Sequence, residues 1–187
     1  GKQFNWIYRY PGKDNTFGKK YYRNIDEKNS NDLGLIWDDK AAQDDIVSTT
    51  ALYIIKDQPV KINIFSRDVI HNVGLPHFRM KMDAVPGTPT TMYFTPKYTT
   101  KEMKKITGNN AFEYELACDQ MCGNGHYGMK GIIKVVSNTD FILWRAKQKP
   151  KYTEAVKPKD PAQPIPATGD TTQKTVAAAN TVPVAKN

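Results

Sequence analysis

Cys118-Asp119-Gln120-Met121-Cys122-Gly123-Asn124-Gly125-His126-Tyr127-Gly128-Met129 is the densest run of chemistry in this chain of 187 residues. It holds two thiols, one imidazole and one thioether, spaced by four, four and three positions. Residues 112–117 before it and 131–136 after it are rich in Val, Ile, Tyr and Phe, so the run reads as a loop between two strands. Such a loop can fold back and aim all four side chains at one point. Gly123, Gly125 and Gly128 permit the tight backbone this requires. Cys118 and Cys122 are the only cysteines. A disulfide between them would restrain little chain, because closure entropy grows with loop length. Metal ligation is the stronger reading.

The donor types bear on the metal. A structural zinc site takes four N or S ligands and rarely recruits methionine. Thiolate and thioether together are soft and favour copper. A single-copper electron-transfer site uses one Cys, two His and a weak Met, whereas this loop carries two Cys. Each thiolate can bridge two metals, so two bridging thiolates, one His per metal and weak caps would satisfy a pair of coppers. The loop supplies one imidazole, and the second must come from elsewhere. Only His71 and His77 remain. Either alone would read as a surface or hydrogen-bonded residue. His71 directly follows a well-marked strand at 60–66, a placement that suits a ligand.

The rest of the chain is mostly short strands. Phe4, Trp6, Tyr8 and Tyr10 alternate with Asn5, Ile7 and Arg9 until Pro11-Gly12, the period of a half-buried strand. Residues 51–55, 60–66, 78–82 and 91–94 read the same way, with Pro, Gly, Asn or Asp between several of them. Two short helices are predicted, 100–106 closed by Gly108 and 139–147 after a cap at Asn138. Residues 13–45, rich in Lys, Asp and Asn, read as a surface excursion. The pattern is all-β, an antiparallel sandwich or barrel with short helices. One domain over 1–149 is expected, then a Pro/Ala/Thr-rich disordered tail over 150–187.

The mean hydropathy is −0.62, and no apolar run approaches the roughly 18 residues of a spanning helix. No secretory leader is visible, so either the protein is soluble or a membrane segment lies upstream of Gly1. Lys and Arg number 27 against 19 Asp and Glu, a net charge of +8. The cations are scattered and aromatic residues do not interleave them, so no nucleic-acid partner is expected. No Ser–His–Asp set or phosphate loop is present.

Three anchors in the right order carry a family resemblance. The loop resembles the Cys-x-x-x-Cys-x-x-x-His-x-x-Met dinuclear copper (CuA) motif of cytochrome c oxidase subunit II. Asp68-Val69-Ile70-His71 and Asp83-Ala84-Val85-Pro86-Gly87 are similar to two further stretches of that family. The opening Gln3-Phe4-Asn5-Trp6-Ile7-Tyr8-Arg9-Tyr10-Pro11 resembles its aromatic strand just outside the membrane.

The resemblance implies a cupredoxin-like Greek-key sandwich. It implies two copper ions bridged by Cys118 and Cys122, with His71 and His126 as terminal ligands. Met129 would be the weak ligand of one copper, and the Gln120 backbone carbonyl that of the other. Gln120 stands where the family has Glu, which puts magnesium at the subunit I contact in question. The family's exposed Trp matches Phe4, with Trp6 the nearest indole, so these two mark where electrons would arrive.

The implied function is electron intake from a cytochrome c and delivery to haem in subunit I, for oxygen reduction coupled to proton pumping. The implied place is the periplasmic face of a bacterial inner membrane, with anchoring helices upstream. Implied partners are subunit I, copper-loading assembly factors and a cytochrome c. Asp68, Asp83, Glu115 and Asp119 would give an acidic area, yet the net charge favours a less basic or tethered donor. A nitrous oxide reductase copper domain and a copper storage or delivery protein are the alternatives.

Overall fold

The computed structural model describes residues 1–155. The expected tail from 156 onward lies outside the described residues. Among these residues nine strands and four α-helices follow in chain order. They are β1 Tyr8–Tyr10, α1 Lys40–Gln43, β2 Ile46–Ser48, β3 Ala51–Ile55, β4 Val60–Ile64, β5 His71–Leu75 and β6 Met80–Ala84. Then come β7 Thr90–Phe94, α2 Thr100–Thr107, β8 Tyr114–Ala117, β9 Lys130–Val136, α3 Asn138–Lys147 and α4 Lys151–Ala155.

A five-stranded sheet runs β3-β9-β8-β5-β6, and β4-β7 and β1-β2 form separate pairs. Among the strand pairs of the described residues, β3-β9 alone is parallel. Ile54, Val73, Leu75, Tyr114, Leu116, Ile133 and Val135 from the large sheet meet Ile64 and Met92 from the β4-β7 pair in one core, with Trp6 and Tyr8. This is the expected all-β sandwich.

Local chemistry explains most elements. In β9, Ile133 and Val135 alternate inward, so period two marks the strand. In α2, the Thr99 hydroxyl accepts from the Glu102 N–H while Glu102 accepts from the Thr99 N–H, a reciprocal box that sets the first turn. Gly108 ends it with φ 66. The cap of α3 is Ser137, whose oxygen accepts from the Asp140 N–H, and Asn138 is already helical.

Four further expectations change. Residues 2–5 close a tight turn through Lys2 N–H to Asn5 O and Asn5 N–H to Lys2 O, so the first strand shortens to Tyr8–Tyr10. His71 does not follow a strand but begins one of its own. All five residues of β5 are buried, which removes the alternation by which a strand is recognised. The excursion over 13–45 is not all surface: Leu35, Ala42 and Asp45 are fully buried. Lys151–Ala155, expected in the tail, is helical. The Lys151 N–H donates to Asp45 O at 2.8 Å, and Tyr152 packs edge-on to Trp37. Tyr152 gives this stretch something to bury, which the Pro/Ala/Thr composition beyond it lacks.

The excursion is pinned by one buried ion pair. Arg9 donates to Asp45 through Nε at 3.0 Å and through its terminal nitrogen. Asp45 also accepts from the Gly18 N–H at 3.1 Å. Removing one partner strands the other charge in the interior. Asp45→Ala is therefore expected to destabilise the domain by about 3–5 kcal/mol, read as a lowered urea midpoint at unchanged slope.

Candidate metal centre

β8 and β9 are antiparallel neighbours with Ala117 opposite Lys130, so the intervening loop leaves and rejoins one end of the sheet. The Cys118 N–H donates to Met129 O at 3.2 Å and closes it. Bonds from His126 N–H to Gly123 O, Gly128 N–H to Gly125 O and Met129 N–H to His126 O wind it into tight turns. Gly123 has φ 133, a conformation that L side chains rarely adopt. A Cβ there would lie 2.8 Å from Gln3 Nε2 and 3.0 Å from the Phe4 ring. A Cβ on Gly125 would overlap that ring. Glycine is required where Phe4 packs directly on the loop backbone.

The second imidazole comes from the sheet. His71 is fully buried and donates from Nε2 to Asp68 Oδ1 at 2.8 Å. That bond leaves Nδ1 as the free lone pair, and Nδ1 faces Cys118 Sγ at 3.9 Å. Carboxylate, imidazole and metal in line is the usual way a histidine ligand is oriented. Asp68 is itself held: Oδ2 accepts from the Gln3 N–H at 2.7 Å and Oδ1 from the Val69 N–H at 2.8 Å. Burial works against its charged form, but these bonds and the one to His71 outweigh it and hold the carboxyl below its usual range. The Trp6 indole packs edge-on to the His71 ring, centroids 6.1 Å apart.

The donors converge. Cys118 Sγ and Cys122 Sγ are 3.8 Å apart, and both cysteines are free and buried. Gln120 O lies 3.2 Å from Cys118 Sγ. His126 Nδ1 is 3.6 Å and Met129 Sδ 3.8 Å from Cys122 Sγ. The ligand atoms of His71, Cys118 and Cys122 all lie within 4.8 Å of one another. Burial, and then the neighbouring Cys118, pushes the Cys122 thiol up to about 11. Buried soft donors that cannot hydrogen-bond one another well are a set that a soft metal would satisfy.

Among the described residues the structure thus gathers all six expected ligands, His71, Cys118, Gln120, Cys122, His126 and Met129. Phe4 is 40% exposed over the loop, whereas Trp6 is 4% exposed and lies behind His71. His77 stands apart, its ring against Phe112 and Tyr114 and its Nδ1 accepting from the Glu115 N–H. Sequence reasoning missed the part of Gln3 and placed Asp68 among surface acids. The spacing of Asp68 three residues before His71 is the signal for the second. Nothing local signals the first.

The family profile described as cytochrome C oxidase subunit II, periplasmic domain, matches residues 1–136. The chain belongs to this family. It is 35% identical over 150 residues to the alternative cytochrome c oxidase subunit 2 of Bradyrhizobium diazoefficiens, covering 80% of this chain and 49% of that protein. It is 28% identical over 158 residues to cytochrome c oxidase subunit 2 of Thermostichus vulcanus, covering 84% of this chain and 35% of that one. The chain thus spans about half or less of these relatives. The crystal structure of the periplasmic domain of cytochrome oxidase subunit II from Bradyrhizobium japonicum superposes with a TM-score of 0.53 at 23% identity. That match covers 81% of this chain and 91% of that one, and it shows a shared fold. Copper is the metal expected of a subunit II domain, and the donor set fits it. No helix among the described residues is long and apolar enough to cross a membrane.

Two outcomes are expected of the metal centre. Asp68→Ala frees the His71 ring and should weaken metal binding by about 10- to 100-fold, measured by chelator competition. In the metal-free domain the folded Cys122 thiol ionises near 11 against an ordinary 9.0. The unfolded state therefore loses its proton first, and stability falls as pH rises from about 9 to about 11. Thermal midpoints across that window should drop less in Cys122→Ser than in the wild type.

Proposed function

We propose that this chain is the copper-bearing domain of a haem–copper oxidase, accepting electrons from a cytochrome c and passing them to haem in subunit I. Oxygen reduction and proton pumping would take place in the rest of the complex. One observation supports this above others: the donor set is doubled. Each buried thiol has its own imidazole Nδ1, at 3.9 and 3.6 Å, and its own weak donor, at 3.2 and 3.8 Å. One metal has no use for six such donors, whereas two metals sharing both sulfurs use them all.

A bound copper pair supplies a one-electron store whose charge is spread over two ions, so ligand bonds change little on reduction. The chain's own part is to keep that geometry fixed and dry. Asp68 fixes the His71 ring, the β8–β9 turn fixes the sulfurs, and Phe4 covers the loop backbone. In this reading Cys118 and Cys122 would hold both ions, His71 and His126 would be terminal ligands, and Met129 and the Gln120 carbonyl would be the weak donors. With Gln at 120, magnesium at the subunit I contact is not part of the reading.

Phe4 is the residue we assign to donor contact, because Trp6 is too deep to meet an incoming protein. Met121 and Tyr127, on the loop that Phe4 packs against, are 77% and 87% exposed. The Asp68 carboxylate is engaged by His71 and Gln3, so its first role is to hold the centre. The net charge of +8 works against long-range steering of a basic cytochrome. A less basic or tethered donor follows, meeting an apolar rim. The domain is placed on the periplasmic side, with its anchor elsewhere in the full protein and loading factors that deliver copper to reduced thiols.

Copper analysis of the reconstituted domain should find two ions per chain. Electron spin resonance should give a seven-line, mixed-valence pattern. One ion per chain, or a colourless form that cannot be oxidised reversibly, would sink the proposal in favour of storage or delivery. Reduction by a basic cytochrome c should depend only weakly on salt. A steep fall in rate with added salt would overturn the choice of donor.

A further inference from the structure

Gln3 belongs to no donor set, yet it touches both halves of the centre. The turn closed between Lys2 and Asn5 presents it to the loop. Its backbone N–H donates to Asp68 Oδ2 at 2.7 Å, and Asp68 accepts from His71 through its other oxygen. Its side-chain Nε2 donates to Cys122 O at 2.5 Å, across a separation of 119 residues. Gly123 has no Cβ where one would stand 2.8 Å from that nitrogen, so the loop is shaped to admit the amide. On either side, Lys2 is held by Glu27 at 3.0 Å and Phe4 lies over the glycines of the loop. The Gln3 side chain therefore approaches the loop from a segment fixed before and after it.

His71 is carried by β5 and Cys122 by the β8–β9 loop. β5 pairs with β8 at Gly74 and Ala117, just before Cys118, but Cys122 lies four residues further into the loop, where its spacing from His71 is set by the loop's own bonds and by Gln3. A misplacement of a fraction of an ångström at a metal ligand is enough to change its ligand field. A hydrogen bond with no positioning role would leave metal release and the metal's spectrum unchanged when it is removed.

We infer that Gln3 is a positioning residue of the metal centre, locking the Cys122 backbone to the Asp68–His71 pair and so fixing the spacing between the imidazole and the sulfurs. The inference rests on the metal-centre reading above and adds a residue to it.

Gln3→Met keeps the length and removes the donor, Gln3→Lys keeps a donor, and Glu27→Gln tests the outer ion pairs of Glu27 with Lys2 and Arg67. The copper-loaded domain carrying Gln3→Met should lose metal to excess chelator about tenfold faster than the wild type and show altered hyperfine splitting. Gln3→Lys should restore both to within about twofold, and Glu27→Gln should leave both unchanged, as exposed ion pairs contribute little. In the metal-free protein, a neutral alkylating reagent should reach the Cys122 thiol several-fold faster in Gln3→Met than in the wild type or Gln3→Lys.

If Gln3→Met matches the wild type in release, splitting and alkylation, Gln3 does not position the centre. If Gln3→Lys behaves as Gln3→Met does, the donated bond is not the agent, and the inference also fails. A Gln3→Met chain that does not fold would mark a folding residue instead. The proposed function fails separately, on the copper count of the wild type, and the alkylation comparison is read whatever that count is.

Discussion

Two sulfur atoms held 3.8 Å apart in the interior, with no bond between them, set demands that the rest of the fold meets. Thiols so placed give up water without gaining strong hydrogen bonds, and burial raises the cost of ionising Cys122. The chain must therefore bring other donors to the same spot and hold them there. It does so by drawing on separate elements. The β8–β9 turn supplies four side chains and one carbonyl, and it is shut by the bond from Cys118 N–H to Met129 O. The interior strand β5, which lies between β8 and β6, supplies His71. Asp68 then selects which ring nitrogen faces the sulfur, by engaging the other one.

How far this was legible in the sequence depended on whether the signal was local. β4 and β9 show in the pattern of side chains because one face is covered more than the other. β5 has both faces covered and carries Gly74 where a Cβ would run into the Asp119 carboxylate, so neither periodicity nor propensity marks it. The ends of α2 were readable because Thr99, Glu102 and Gly108 act within one turn of the backbone they cap. At α3 two good capping residues stand side by side, and backbone angles decide between Ser137 and Asn138. The loop ligands were readable for the same local reason, as four donors in twelve residues. His71 needed the family pattern. The link from Gln3 to Cys122 arises only when the two ends of the domain meet, and no window of sequence contains it.

The ion pair of Arg9 with Asp45 has a consequence for how such a domain can change over time. It clamps both necks of the long segment between β1 and β2, with Gly18 and Lys151 fastened to the same aspartate. Chain beyond a fixed neck is cheap to lengthen, since doubling a loop adds only about 0.6 kcal/mol of closure entropy. The tip of this segment nevertheless reaches the neighbourhood of the centre, where Glu27 meets Lys2 and Arg67. Material can thus be added, trimmed or recharged at the rim without disturbing the sheets beneath, which makes this segment the natural place for relatives to diverge in the company they keep.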